Sequence, residues 1–148
     1  MKKILYIAAA IAALMTSSCK QVEMPFTHED SDVKITSMIM WNLPFRDPDA
    51  SSKFAVKESV EATITHNNPD EVGEIVFIVP RSKRNLWDLT DVTLEATVFY
   101  DLYITPSLAG HHDLTLDDSD QPRLTLTVKS ARTGFEKKYR VHAEISYD

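Results

Sequence analysis

The chain has 148 residues, a formal net charge of −6 and one cysteine, Cys19. This length suits a single domain, and the acidic balance argues against nucleic acid or an anionic bilayer surface as the partner. One cysteine cannot form an internal disulfide, so the domain must be stabilised by its hydrophobic core alone.

The first eighteen residues, 1–18, predict a signal peptide. The basic pair Lys2-Lys3 precedes an uncharged apolar run over residues 4–15, and small residues separate this run from Cys19. This is the layout of a secretory signal. As a helix the run is about 18 Å long, which is too short for a hydrocarbon core of about 30 Å. We therefore expect a cleaved signal helix and not a permanent membrane span.

The position of Cys19 after Ser17-Ser18 resembles a bacterial lipobox, in a relaxed form because Thr16 stands where an aliphatic residue is usual. The resemblance implies that Cys19 is acylated, for example with palmitate, and becomes the mature N-terminus. More than one acyl chain suffices for stable membrane attachment. We expect a lipid anchor in the cell envelope, in the outer membrane, facing the periplasm or the surface. The alternative is an ordinary secretory signal followed by a buried thiol.

Residues 19–32 predict a lipidated N-terminus and a flexible tether, because they are polar, acidic toward their end and interrupted by Pro25. The part after Cys19 reaches at most about 45 Å when extended, enough to hold a domain away from a membrane. Acidic residues after a lipid-bearing cysteine can also direct surface sorting, but only Glu23 lies close to Cys19. The membrane face therefore stays open.

From residue 33 to the end, apolar residues recur with a period of two, which is typical of β-strands. The pattern predicts about seven strands, over residues 33–41, 54–64, 75–79, 92–104, 114–116, 124–128 and 139–147. Met38 and Met40 fall in the opposite phase to their neighbours, which predicts a bulge or burial on both faces. Residues 75–79 are apolar throughout and precede Pro80, which predicts a central strand buried on both faces.

Turn signals separate these segments. Residues 66–70 (His-Asn-Asn-Pro-Asp) suit turn dihedral angles, Pro106 ends a strand, and the turn with Gly134 joins the last two strands as a hairpin. Leu86 and Leu89 are three residues apart, as in one helical turn docked on a core. A series of short strands, each with one apolar face, predicts two sheets that pack face to face. We therefore expect residues 33–148 to form an all-β, immunoglobulin-like sandwich.

Several short motifs follow one another in this domain. They are Ile35-Thr36-Ser37, Ala62-Thr63-Ile64, the run 73–80 ending in Val79-Pro80, Leu86 with Leu89, Ile104-Thr105-Pro106, the strand 124–128, Gly134 and Tyr139-Arg140-Val141. Their order resembles a domain-of-unknown-function family of immunoglobulin-like or cadherin-like sandwiches in surface lipoproteins of Gram-negative gut bacteria. In that family a core strand ends in Val-Pro, a Leu-x-x-Leu turn follows and the last hairpin ends in Tyr-x-Val. The resemblance implies no catalytic residues.

Signals of catalysis or of a cofactor are weak. The chain has three glycines, too few for a phosphate-binding loop or a nucleophile elbow. Residues 111–113 (His-His-Asp) offer metal ligands, but neighbours in an extended chain point to opposite sides. The carboxylates of residues 117–120 suit calcium, yet no glycine supplies a sharp turn, so a hydrated turn is the better reading. We expect no catalytic residues, no cofactor and no metal.

Exposed aromatic residues are the candidate ligand contacts. Trp87 lies between Leu86 and Leu89, so it points away from the core if those two dock on it. Phe99 and Tyr103 occupy the outward phase of segment 92–104. Exposed rings bury a large area at a small entropic cost. The alternative is that Trp87 covers an end of the sandwich and Phe99 packs under a loop.

Arg81 and Arg84, with Lys83, form a basic cluster beside Trp87. Such a cluster suits an acidic polysaccharide or a partner protein, and its alternative is a solvated loop. We predict a lipid-anchored, non-catalytic binding or spacer module for a glycan or a neighbouring surface protein. The alternative function is a structural or adhesion subunit that assembles through strand edges. The ligand and the oligomeric state stay open.

Overall fold

The structure is a computed structural model that describes residues 32–42, 57–68 and 70–147. The signal peptide, Cys19, nearly all of the tether, and Phe54 and Val56 lie outside the described residues. The predictions made for them therefore stay predictions.

The described residues include eight strands and a short helix. The strands are β1 (Ser37–Trp41), β2 (Ser59–Glu61), β3 (Thr63–Thr65), β4 (Gly73–Val79), β5 (Thr93–Thr97), β6 (Leu102–Thr105), β7 (Leu124–Ser130) and β8 (Glu136–Ile145). A 3₁₀ helix, Arg81–Leu86, connects β4 to β5. Within the ranges that the structure describes, no helix is long and apolar enough to cross a membrane.

The strands build two sheets that share one core. The first sheet has the order β2-β1-β5 and the second has the order β3-β4-β8-β7-β6. Neighbouring strands are antiparallel except β4 and β8, which are parallel. The prediction of an all-β fold with two sheets is confirmed.

The core is built from alternate residues of the strands, because successive side chains of a strand point to opposite faces. Met38 and Met40 of β1 join one buried cluster with Ile75, Phe77, Val79, Leu126, Val128, Tyr139 and Val141 of the second sheet. Each fully buried Ile, Leu, Val or Phe contributes about 1.5–3 kcal/mol relative to an exposed position. Val33 and Ile35 are buried in one phase and Met38 and Met40 in the other, so the predicted change of phase is present.

Two segments predicted as single strands are each divided between the sheets. In segment 54–64, β2 pairs with β1 and β3 pairs with β4, with Ala62 between them. In segment 92–104, β5 pairs with β1 and β6 pairs with β7. The prediction of continuous strands is wrong there. Alternation records which side chains face the core, and Val60, Ala62 and Ile64 all pack against it while the backbone changes its neighbour.

Two further strand predictions need correction. β4 is an inner strand of its sheet, as predicted, and lies between β3 and β8. It is buried on one face only, because Ile78 is 48% exposed on the other. Residues 114–116 are not a strand: Leu116 makes an isolated bridge with Pro122. Leu114 is fully buried, and its N–H donates to the carbonyl oxygen of Leu89 at 2.8 Å.

The predicted turns are present. β7 and β8 form the expected antiparallel hairpin, in which Leu124 faces Val141, and Gly134 has a φ of 75° in its turn. β6 ends at Thr105, directly before Pro106. Asn67 has a φ of 54°, which matches the turn predicted between β3 and β4.

Candidate functional site

Trp87 is buried, which contradicts its prediction as an exposed contact. It is 8% exposed and belongs to the core. The 3₁₀ helix ends at Leu86, and Trp87 has an extended backbone with φ −129° and ψ 137°. Because the three positions do not share one helical turn, half-buried Leu86 and Leu89 do not force Trp87 outward. The placement matches the alternative in which Trp87 covers part of the sandwich.

The basic cluster remains on the surface, but without an exposed ring beside it. Arg81, Lys83 and Arg84 are all exposed on the 3₁₀ helix. Lys83 Nζ lies 2.6 Å from a carboxylate oxygen of Glu58, so a salt bridge within this domain already neutralises part of the positive charge of the cluster. The structure therefore separates Arg81 and Arg84 from the aromatic contact expected next to them.

Exposed rings do occur together, around the connection from β5 to β6. Phe99 is 39% exposed, Tyr100 70% and Tyr103 47%. The N–H of Leu102 donates to the carbonyl oxygen of Phe99 at 3.1 Å, which closes the turn that leads into β6. We call Phe99, Tyr100 and Tyr103 the aromatic edge, because β6 is the last strand of its sheet. Sequence reasoning missed Tyr100, since it has the inward phase of a strand that the turn interrupts.

A row of side chains continues from the aromatic edge across the second sheet. Tyr103 of β6 pairs with Lys129 of β7, and Lys129 pairs with Glu136 of β8. Lys129 Nζ lies 3.1 Å from Glu136 Oε1. The pKa of Lys129 is raised above its ordinary value, mainly by the hydrogen bond to Glu136 and to a smaller extent by the Tyr103 hydroxyl. Lys129 therefore carries its positive charge between the aromatic edge and β8.

Beyond Glu136 this row reaches a cavity of about 330 Å³. It lies between the turn that precedes β4 and the start of β8, and its lining residues are Asp70, Glu71, Val72, Phe135, Glu136 and Lys138. Sequence reasoning did not find this cavity. Its walls come from the turn before β4 and from the start of β8, which are far apart in the chain, and the turn signals in the sequence do not say that these two segments lie side by side.

Lys137, which stands between Glu136 and Lys138 on β8, fixes the turn before β4. Its side chain is buried, and Nζ donates to the backbone carbonyl oxygens of Asn68 and Glu71. Burial lowers the pKa of Lys137, and the charges of Glu71 and Asp70 act in the opposite direction. An ammonium group with these two partners holds the turn in place, because hydrogen bonds from a charged donor are stronger than those between neutral groups.

A buried tyrosine connects the same turn to the start of the domain. His66 Nδ1 lies 2.9 Å from the Tyr139 hydroxyl, and that hydroxyl also receives the N–H of Ile35. Nδ1 and the hydroxyl share this hydrogen bond, and the tautomer of the imidazole ring sets its direction. Burial raises the pKa of Tyr139. Burial, then the charges of Lys34 and Lys137, hold the pKa of His66 below its ordinary value, which favours the neutral imidazole.

The other polar clusters have local partners. His111 Nδ1 contacts the Asp91 carboxylate, whereas His112 Nε2 lies 3.2 Å from the carbonyl oxygen of Leu108. The Asp117 carboxylate accepts the N–H groups of Ser119 and Gln121 and so shapes its own turn, and these bonds lower the pKa of Asp117. In the part of the chain that the structure describes, no group of three His, Cys, Asp or Glu side chains is placed to hold a metal ion.

Comparison with known proteins yields one similar solved structure. No family model and no curated protein matches the chain. The crystal structure of a protein from Bacteroides fragilis, described as a "putative secreted protein", is 17% identical, with a TM-score of 0.45. The match covers 79% of this chain and 98% of the other. At this level of similarity the match carries no argument about function.

Proposed function

We propose that this chain is a non-catalytic binding module and that the aromatic edge is its contact surface. The observation that carries the proposal is the exposure of Phe99, Tyr100 and Tyr103 at one edge of the second sheet. Exposure of large aromatic rings to water is unfavourable, and a partner that covers the rings removes this unfavourable free energy. Tyr also offers a hydroxyl group for hydrogen bonding. The partner is a glycan or a neighbouring surface protein. Arg81 and Arg84 are left outside this contact surface.

The place of action in this proposal is the cell envelope. The signal peptide over residues 1–18 would direct export, and acylation of Cys19 would then anchor the chain in the outer membrane. The pattern of basic, apolar and small residues before Cys19 supports this anchor. Changing Cys19→Ala should move the chain from the membrane fraction to the soluble fraction after cell lysis. A variant that stays with the membranes would overturn the lipid anchor.

An immunoglobulin-like fold in the lipoprotein family described above is part of the same proposal. Two sheets around one core support it. The parallel pairing of β4 with β8 departs from the purely antiparallel sheets of that fold.

The contact surface can be tested with the full chain. The chain is extracted in a zwitterionic detergent and screened on an array of neutral and acidic glycans and by cross-linking to neighbouring surface proteins in cells. Tyr100→Ser and Tyr103→Ser should each lower whichever binding is seen. Tyr147→Ser is the matched control, because Tyr147 is also exposed but lies beyond β8. Equal loss in the control, or no loss in either variant, would contradict the assignment.

A second candidate function is assembly through strand edges. Among the described strands, β6 pairs only with β7 and β3 pairs only with β4, so each has an outer backbone edge. Edges of this kind can accept a strand of another chain. Sedimentation of the full chain over a range of concentrations separates the candidates. Stable oligomers without glycan or partner binding would favour assembly, and a monomer would exclude it.

A further inference from the structure

The cavity beside Glu136 differs from the aromatic edge in shape and chemistry. It is lined by three carboxylates, one ammonium group, a phenyl ring and a valine. Its volume of about 330 Å³ lies at the lower end of the range of about 300–1,000 Å³ that is usual for small-molecule sites. From this geometry we infer that the cavity binds one neutral sugar ring of a glycan chain. The inference rests on the proposed binding function and selects a glycan as the partner.

The charges around the cavity favour a neutral ligand over a cation. Glu136 forms a salt bridge with Lys129, with 3.1 Å between Oε1 and Nζ. The carboxylates of Asp70 and Glu71 interact with the charge of Lys137, and Lys138 adds a positive charge to the lining. Each carboxylate thus has an ammonium group in its surroundings, so a cationic ligand gains little net attraction. The same groups still offer acceptors and donors to hydroxyl groups.

Phe135 supplies the apolar surface that a sugar needs. Its ring is half-buried and packs against the core, which limits its motion. A sugar ring presents C–H groups on one face and hydroxyl groups around its rim. An aromatic ring with charged hydrogen-bonding groups around it is complementary to both parts, since apolar area is buried and each hydroxyl finds a charged partner. Val72 extends the apolar wall.

The row of side chains formed by Tyr103, Lys129 and Glu136 connects the cavity to the aromatic edge. Glu136 lines the cavity, Lys129 is its neighbour on β7, and Tyr103 is the neighbour of Lys129 on β6. Adjacent strands lie about 4.8 Å apart, so Tyr103 is about 10 Å from Glu136 along the row. A glycan chain with one ring in the cavity would pass over Lys129 and place a later ring against Tyr103. One ligand thereby uses both surfaces.

The test uses the full chain in a zwitterionic detergent, which carries no sugar head group. Calorimetry is performed with glucose, mannose, galactose, xylose and N-acetylglucosamine and with a linear hexasaccharide of each. Spermidine and oligogalacturonate serve as cationic and anionic probes. The cavity variants are Glu71→Ala and Phe135→Leu. The matched control is Glu144→Ala, because Glu144 is an exposed carboxylate near the other end of β8 and does not line the cavity.

We expect at least one neutral hexasaccharide to bind, with its affinity lowered about tenfold by Glu71→Ala and unchanged by Glu144→Ala. Tyr103→Ser should weaken the hexasaccharide but not the monosaccharide, since one ring occupies only the cavity. Thermal melting of every variant shows whether it is folded, and Phe135→Leu retains an apolar side chain for this reason.

Three outcomes would overturn the inference. Binding of spermidine alone would make the cavity a cation site. Loss of glycan binding on Tyr103→Ser but not on Glu71→Ala or Phe135→Leu would leave the aromatic edge as the binding surface and remove the cavity from it. Absence of binding by every neutral sugar would exclude a glycan, and the proposed function would then depend on cross-linking to a surface protein.

Discussion

The ring of Tyr139 occupies the space beside Gly73 in which any other residue would place its Cβ. The two residues are directly paired on the parallel strands β4 and β8. A Cβ at Gly73 would lie 2.6 Å from two ring carbons of Tyr139 and 2.9 Å from the carbonyl oxygen of Thr65. The absence of a side chain at Gly73 therefore permits the largest fully buried side chain of the core to pack where it does.

Gly73→Ala should destabilise the domain by about 1–3 kcal/mol, because the ring and the β3 backbone must both move. Urea unfolding of the full chain measures this loss. The double variant with Tyr139→Leu is the control, since a smaller side chain relieves the overlap with the ring. A double-mutant cycle should show coupling between the two positions. Additive effects would mean that the contact with Tyr139 is not the cause.

Val128→Asp and Val141→Asp should each prevent folding. Both valines are fully buried in the second sheet, and an aspartate there has no partner for its charge. Thr125→Asp is the control on β7, because Thr125 is exposed and pairs with Arg140. Circular dichroism and thermal melting show the outcome. A Val128→Asp variant that melts cooperatively near the wild-type temperature would contradict the register of the hairpin.

His66 should make the domain less stable as the pH falls. Its pKa is lower in the folded chain than in the unfolded chain, where it is about 6.5. Its contribution to stability is therefore complete above about pH 6.5 and is lost as the pH falls through the folded pKa, because the unfolded chain binds the proton more readily.

Urea unfolding between about pH 5 and pH 8 measures this slope. His66→Gln should flatten it, since the amide does not titrate. An unchanged slope in His66→Gln would assign the pH dependence to other groups.

Lys137→Met should cost about 1–3 kcal/mol, because the carbonyl oxygens of Asn68 and Glu71 lose their buried donor. Hydrogen exchange should rise most at the amides of Glu71 and Gly73, which belong to the turn and to the start of β4. Lys138→Met is the matched control, since Lys138 is the exposed neighbour. Faster exchange throughout the domain in both variants would show that Lys137 has no special part in holding the turn.

The sequence by itself predicted the elements whose cause is local. Apolar residues recur at every second position because each strand buries one face, and this period of two predicted an all-β domain. The Gly134 turn and Pro106 have fixed dihedral preferences, so they located the hairpin and the end of β6 correctly. For the proposed contact surface, the outward phase identified Tyr103 on β6, because exposure of alternate residues is a property of a strand. Phe99 is exposed as predicted, but it lies in the turn before β6, where alternation does not apply.

Apart from the β7–β8 hairpin, only the tertiary structure decided which strand pairs with which. Segments 54–64 and 92–104 alternate without a break, yet each changes sheets, because alternation records the direction of the core and carries no information about the neighbouring backbone. Trp87 turned inward because the helix ends one residue before it. The cavity needed residues 70–72 and 135–138 side by side, and the pairing of β4 with β8 brings them together. Long-range pairing of this kind leaves no periodic signal in the chain.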